Sequence, residues 1–321
     1  MDHKTPESPS STGLVWDARC LLHEPGPGHP ESPRRLEAIR GGLQSAGLWR
    51  RCALLPARAA TEAELLRCHT PAYLATVRAD IAAGRRDLST GDTALSPHSE
   101  EAARLAAGGA LVAVEAVMAG QVRQAFVAAR PPGHHATSEG GMGFCIYNSV
   151  ALAARHAQAA CGVERVLIVD WDVHHGNGTQ AIFWRDPSVL FCSVHQSPLY
   201  PGGGNAAERG EGPGTGFTLN FPLPPGSGGT EVLGVLRTRL LPAAERFRPS
   251  LVLVSAGLDG MRGDPLADFA LTAEDVGALT ALVRGIAERH GEGRLVSVLE
   301  GGYQLDNLAA GVVAHVGALL A

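Results

Sequence analysis

The sequence has few of the features that indicate a secreted or membrane-bound protein. Its 321 residues include six cysteines with no C-x-x-C spacing, which favours reduced thiols over a disulfide framework. No apolar run is long enough to span a bilayer, and the polar start MDHKTPESPSSTG lacks the apolar segment of a secretion signal. We therefore expect a cytoplasmic protein with no membrane partner.

Positive charge is also scarce. Lys and Arg total 27 against 32 Asp and Glu, a net charge of −5. Without a basic excess, direct binding to nucleic acid is disfavoured. No repeat with a period of about 20–50 residues indicates a solenoid or propeller. A hydrophobic content of 45% and a charged content of 18% are instead typical of a globular chain with a large core.

Short apolar runs alternate with helical patterns along the chain. Predicted strands cover 13–17, 124–129, 165–170, 189–195, 250–257 and 294–302, and predicted helices cover 33–46, 61–67, 71–83, 96–120, 147–160, 230–246 and 272–290. Uninterrupted apolar strands separated by helices indicate a parallel sheet that is covered on both faces. The fold class is therefore α/β, with one doubly wound domain at 13–321 after a frayed tail at 1–12.

Polar segments follow five of these strands. They are ARPPGHHA, DWDVHHGNGT, HQSPLYPGGG, SAGLDGMRGDP and EGGYQLDN. Ligands of such α/β sheets bind at the carboxyl ends of the strands. We therefore expect these segments to build one site.

The densest of these segments is DWDVHHGNGT. Asp170, Asp172 and His174 share a face of extended chain, because alternate side chains point the same way. A lone Asp at a strand end more often caps a turn, but a dense ionisable cluster needs compensation, and a metal provides it. A catalytic zinc takes three protein ligands, so SAGLDGMRGDP must contribute either Asp259 or Asp264. Spacing alone does not choose between them.

A histidine pair and a tyrosine complete the expected chemistry. His134 and His135 lie in a Pro- and Gly-containing loop, and Asp170 and Asn177 are available to orient their rings. The phenol of Tyr303 is suited to donate a hydrogen bond to a developing oxyanion. No Ser or Cys nucleophile with matched partners competes. The pattern indicates metal-assisted hydrolysis with water as the nucleophile.

Five motifs, in this order, resemble those of the zinc-dependent histone deacetylases: RPPGHHA, GFCIYN, DWDVHHGNGTQ, SAGLDGMRGDP and EGGY. The chain looks closest to the class II type and its bacterial relatives, the histone deacetylase-like amidohydrolases. The H-P-E-x-P-x-R segment, His29 to Arg35, also matches class II. The resemblance covers about residues 13–316. It implies the arginase/deacetylase fold, with a single central parallel sheet of about eight strands flanked by helices, and removal of acetyl or other acyl groups from lysine side-chain amides.

The resemblance also implies roles for individual residues. It assigns the zinc ligands to Asp172, His174 and Asp264 rather than Asp259. It implies Asp170 supporting His134, Asn177 beside His135, and Tyr303 stabilising the transition state. We expect His135 to be the proton shuttle, His134 to act mainly through its charge, and His175 to be structural.

One or two structural potassium ions are implied in the same way. The first site would involve Asp170, Asp172, His174, Ser193 and Val194. The second would involve Phe183, Asp186 and Val189.

The family's acyl-lysine channel is walled by two aromatic rings. Phe144 matches one, and Tyr200 stands where a second Phe is usual, which adds a polar tip. Gly143 and Leu266 are further expected channel residues, and Asp92 is an expected rim residue that binds the substrate backbone. The expected partner is an acyl-lysine protein or peptide, or a small acylated amine. A homo-oligomer is left open.

Two rival functions remain. The first is an acetylpolyamine amidohydrolase, whose class II representatives carry Glu where this chain has Leu266. The second is a catalytically weak acyl-lysine binding module, against which the complete ligand set and Tyr303 argue. Two carboxylates and one His would also accept iron(II) or cobalt(II).

Overall fold

The structure is a computed structural model that describes residues 12–321. Of the expected tail at 1–12, residues 1–11 lie outside the described residues, and Thr12 is the first residue of β1. The strands are β1 Thr12–Trp16, β2 Ala53–Leu55, β3 Gln124–Ala128, β4 Val166–Asp170, β5 Val189–Gln196, β6 Thr218–Leu223, β7 Leu251–Ala256 and β8 Leu295–Leu299. All pair in parallel in one sheet of order β2-β1-β3-β8-β7-β4-β5-β6. The expected α/β class with a single eight-stranded parallel sheet is confirmed.

The helices follow the strands as a doubly wound fold requires. They are α1 Arg34–Ser45, α2 Glu62–Leu65, α3 Pro71–Ala82, α4 Ser99–Met118, α5 Ser149–Cys161, α6 Asn177–Phe183, α7 Gly229–Val235, α8 Leu241–Phe247, α9 Ala273–His290 and α10 Leu305–Leu319. A π-helical turn, Leu236–Leu240, joins α7 to α8. Within residues 12–321, no helix is both long and apolar enough to cross a bilayer.

The core lies on both faces of the sheet. Every residue of β3, β4, β7 and β8 is buried, which requires cover above and below. Helix α4 packs on α5 and on β1, β3 and β8, whereas α10 packs on α1, α9 and β3. These two groups of helices supply the cover, and they leave the carboxyl edge of the sheet for loops.

Strand order explains where the site forms. Strands β3, β8, β7, β4 and β5 are consecutive neighbours in the middle of the sheet. These are the five strands whose ends carry the polar segments, so the segments meet side by side. Helix α5 anchors one of them, because the Asn148 side chain caps the helix at Ala151 N–H (3.0 Å) and donates to the Ala136 carbonyl (3.0 Å). That carbonyl ends the loop that carries the histidine pair.

Candidate active site

The end of β4 places three ionisable groups in a buried row. The Asp170 carboxylate accepts from the Asp172 N–H (3.1 Å) with one oxygen, and its other oxygen lies 2.9 Å from His134 Nδ1. The Asp172 carboxylate accepts in turn from the His174 N–H (2.9 Å) and from the Gly301 N–H (2.8 Å). Gly301 is required there, because a Cβ would collide with the carboxylates of Asp259 and Asp172. The carboxylates are therefore held by backbone N–H groups from two strand ends.

Asp172, His174 and Asp259 form a compact group of possible metal ligands at this point. All three are buried, and their ligand atoms lie within 4.8 Å of one another. His174 Nδ1 is 3.0 Å from Asp172 Oδ1 and 3.1 Å from Asp259 Oδ2. Burial lowers the pKa of His174, but hydrogen bonds to both carboxylates outweigh this and raise it to about 10. Burial and the charge of Asp172 raise the pKa of Asp259 to about 7. Two carboxylates and an imidazole crowded in this way suit a divalent metal.

Asp264 lies beside this group rather than inside it. Its carboxylate accepts from the N–H groups of Tyr303 (2.7 Å), Gln304 (3.3 Å) and Leu266 (3.0 Å). It is 7% exposed, whereas the Asp259 side chain is fully buried. Asp264 thus holds the backbone of two residues that line the cavity described below, Leu266 and Tyr303, while Asp259 accepts from the Val173 N–H (3.0 Å).

The histidine pair follows β3 and is also buried. The two rings are 4.0 Å apart, and His135 Nδ1 lies 2.7 Å from Asn177 Oδ1. Burial lowers the pKa of His134, but the charges of Asp172 and Asp170 outweigh it and hold that pKa well above its usual range. Burial and the positive charge of His134 hold the pKa of His135 well below its usual range. The two adjacent imidazoles are therefore shifted in opposite directions, the pKa of His134 by nearby carboxylates and that of His135 by burial and the His134 charge.

A cavity of about 220 Å³ opens onto these groups. It is lined by Asp92, His135, Gly143, Phe144, His174, Leu199, Tyr200, Leu266 and Tyr303. Each substrate-binding residue expected from the sequence is in this set, and Leu199 is an addition. Gly143 has φ +54° and lies against the His135 ring, so a side chain there would block the floor. The walls are aromatic and apolar, while the floor is ionisable.

Tyr303 stands at the edge of this cavity. Its ring packs edge-on against Phe144 (5.8 Å between centroids), and the Arg35 guanidinium lies 5.1 Å from the ring centre. No hydrogen bond of its hydroxyl is present within residues 12–321. The phenol is therefore fixed by its ring and leaves its O–H available to the cavity.

Two buried groups were not assigned a role from the sequence. Glu300 accepts from the N–H groups of Gly133 (2.7 Å) and His134 (3.1 Å), and burial raises the pKa of its carboxyl to about 7. Arg35 donates to the carbonyls of Gly302 (2.7 Å) and Glu300. Glu300 belongs to the EGGY segment and Arg35 to the H-P-E-x-P-x-R segment. Spacing along the chain does not reveal that these two segments contact each other.

A buried ion pair supports Arg35 from behind. Glu31 lies 3.0 Å from the Arg35 guanidinium and 2.6 Å from that of Arg130. The charge of Arg130 and hydrogen bonds from His23 and Arg130 outweigh burial and hold the pKa of Glu31 well below its usual range. The loop before α1 is thus tied to the end of β3.

His175 points away from the ligand group. Its Nε2 is 3.0 Å from Gln180 Oε1, and its ring centre is 4.8 Å from that of His195. It does not line the cavity. This placement agrees with a structural part for His175.

The residues expected around potassium fall in two places. Ser193 is the register partner of Asp170 on the neighbouring strand, and its hydroxyl is 2.9 Å from His195 Nδ1. Val194 follows it in β5. The second set lies at the turn before β5, where the Phe183 carbonyl accepts from the Asp186 N–H (3.0 Å) and Val189 begins the strand.

Comparisons with known proteins agree with this arrangement. Residues 29–319 match the histone deacetylase domain. The chain is 43% identical to the histone deacetylase-like amidohydrolase of Pseudomonas aeruginosa over 310 residues, which is 91% of this chain and 81% of that protein. It is 40% identical to the human polyamine deacetylase HDAC10, over 98% of this chain but only 47% of that protein. The crystal structure of the HDA15 HD domain matches with a TM-score of 0.91 at 39% identity, over 98% of this chain and 89% of that one. The chain therefore belongs to the histone deacetylase family, whose members are metal-dependent deacetylases.

Proposed function

We propose that this deacetylase removes acetyl, or other short acyl, groups from the side-chain amide of lysine with one catalytic zinc ion. The observation that carries the proposal is the cavity whose floor unites His135, His174 and Tyr303 beneath aromatic walls. Water supplies the nucleophile, because no serine or cysteine lines that floor within the described part of the chain.

We assign the zinc to Asp172, His174 and Asp264. Asp264 is preferred over Asp259 because the family resemblance assigns it and because it holds the backbone of two residues that line the cavity, Leu266 and Tyr303. When bound, the metal acts as a Lewis acid on the acyl carbonyl and lowers the pKa of water. The same donors would accept iron(II) or cobalt(II), and zinc is our choice because two carboxylates and an imidazole with an open position suit it.

His135 is the proposed general base. Because the Asn177 oxygen can only accept, His135 Nδ1 carries a proton, and Nε2 is left as the basic nitrogen. The lowered pKa of His135 keeps the ring neutral at neutral pH. Nε2 takes a proton from the attacking water and returns it to the leaving amine.

His134 and Tyr303 stabilise the charge that develops on the acyl oxygen. The charges of Asp172 and Asp170, together with the Nδ1–H bond to Asp170, outweigh burial and raise the pKa of His134, so the protonated ring places a positive charge beside His135. The Tyr303 hydroxyl donates to the oxyanion, a contact that the planar amide does not need.

The residue at position 266, rather than the slot itself, favours lysine over a polyamine. Phe144 and Tyr200 form an apolar slot for the four-methylene stem, which is apolar along its length. An acetylpolyamine amidohydrolase is the second candidate, favoured by the similarity to the human polyamine deacetylase. That substrate needs a carboxylate for its distal ammonium, and Leu266 offers none at its position.

We further propose one or two structural potassium ions. The first would be held by backbone oxygens around Asp170, Asp172 and His174 together with Ser193 and Val194, and the second by Phe183, Asp186 and Val189. Carbonyl-rich strand ends are suited to such hard cations. We also propose a cytoplasmic location, which keeps the six thiols reduced.

Metal removal tests the zinc assignment. We expect acetyl-lysine peptide hydrolysis to stop after chelation and to return with added zinc. Asp264→Asn should lose bound zinc, whereas Asp259→Asn should keep most of it and lose activity less severely, because it removes a supporting contact to His174. Metal content is measured by atomic emission alongside rate. The reverse order of metal loss would assign the third ligand to Asp259.

A further inference from the structure

Tyr200 reaches from the floor of the cavity to its rim. Its ring centre is 5.3 Å from that of His135 and 6.3 Å from that of His174, both edge-on. Its hydroxyl donates to Asp92 Oδ1 at 3.1 Å. Phenylalanine would supply the same wall without this bond, so the hydroxyl has a separate consequence at the rim.

That consequence is a fixed carboxylate. Asp92 Oδ1 also accepts from the Gly143 N–H at 2.7 Å. One oxygen thus carries two bonds to residues of the channel wall, and within residues 12–321 neither a hydrogen bond to Oδ2 nor an ion pair of Asp92 is present. Asp92 is exposed, so its side chain would otherwise lose rotamer freedom only when substrate binds.

We infer that Tyr200 is a specificity-determining residue: its hydroxyl aims the free oxygen of Asp92 at backbone N–H donors beside the acylated stem. The inference rests on the proposed function and adds the class of substrate. A peptide offers N–H groups at the channel mouth, whereas a simple acylated alkylamine offers none. Tyr200 therefore favours acyl-lysine within a peptide over an acylamine with the same stem.

Tyr200→Phe tests the inference, because it keeps the ring and removes only the hydroxyl. For an acetyl-lysine peptide we expect KM to rise about three- to tenfold, the effect of one net hydrogen bond, and to change more than kcat. N-butylacetamide, which has the stem but no backbone amides, reports any effect of Tyr200→Phe on the slot itself, and the KM for the peptide should rise clearly more than the KM for N-butylacetamide. Asp92→Asn keeps an oxygen that can accept from the Tyr200 hydroxyl and the Gly143 N–H. It therefore separates the loss of the charge from the loss of the side-chain orientation.

A double-mutant cycle isolates the coupling. In an Asp92→Ala background, Tyr200→Phe should have no further effect on the KM of the peptide. An equal KM for parent and Tyr200→Phe, an undiminished effect in the Asp92→Ala background, or an equal effect on N-butylacetamide would overturn the inference. If the parent hydrolyses neither substrate, the proposed function fails, and the same comparisons are made on the Kd of the peptide by calorimetry.

Discussion

Replacing Tyr303 by phenylalanine removes one hydroxyl and little else. The ring contacts with Phe144 and Arg35 are made by the ring itself and persist in the variant. The hydroxyl has no hydrogen-bond partner among residues 12–321, so the folded protein loses no internal bond. The free energy of unfolding should therefore stay close to that of the parent. The transition state, in contrast, loses one oxyanion donor, and kcat should fall about 10²–10³-fold, or about 2.7–4 kcal/mol.

Steady-state hydrolysis of an acetyl-lysine peptide measures this loss. The zinc content, the melting temperature and the peptide affinity of the variant serve as controls, and all three should match the parent. A kcat for Tyr303→Phe equal to that of the parent would refute the assigned role. A matching drop in peptide affinity would instead place the hydroxyl in ground-state binding.

Three further predictions follow from other buried or rim groups. Glu300→Gln keeps one acceptor for the loop N–H groups but loses the charge beside His134. The free energy of unfolding, measured in urea, should therefore fall by about 1–3 kcal/mol, and kcat should also be lower. Unchanged stability would contradict this prediction. Burial lowers the pKa of His315 to about 3. Between about pH 6.5 and pH 3, therefore, only the unfolded chain binds a proton on this ring. The free energy of unfolding is lost as the pH falls from about 6.5 towards 3. His315→Gln should therefore flatten the pH dependence of unfolding by up to about 1.4 kcal/mol per pH unit, and an unchanged slope would show that this ring titrates normally. Leu266→Glu should raise kcat/KM for an acetylated diamine by up to about fivefold at low salt, and no gain would show that this position does not face the distal ammonium.

The central strands and their polar ends could be predicted because burial on both faces leaves uninterrupted apolar runs. The edge strands Ala53–Leu55 and Thr218–Leu223 escaped prediction, since an edge strand is half-exposed and its sequence is mixed. Helix Asn177–Phe183 was missed because its first residues read as a glycine turn. Helix Leu305–Leu319 was not predicted either, and its sequence directly follows the last site motif.

In the site, as in the fold, features within one motif could be predicted, whereas contacts between distant segments could not. The family resemblance predicted that Asp170 supports His134, and the structure places His134 Nδ1 2.9 Å from the Asp170 carboxylate. The support that Glu300 gives to the histidine loop joins residues 167 and 166 positions apart, which no local spacing reveals. The hydrogen bond from the Tyr303 N–H to Asp264 likewise joins residues 39 positions apart. Such facts follow from strand order, not from the motif that contains the residue.

The substrate remains the decisive property, and one comparison measures it. The zinc-loaded protein is given acetyl-lysine peptides, longer acyl-lysine peptides and acetylated polyamines, and kcat/KM is measured for each with and without chelator. We predict the highest value for acetyl-lysine peptide and its loss with chelator. A higher value for an acetylated polyamine would contradict the lysine assignment, and no turnover of any substrate would mean that the chain only binds acyl-lysine.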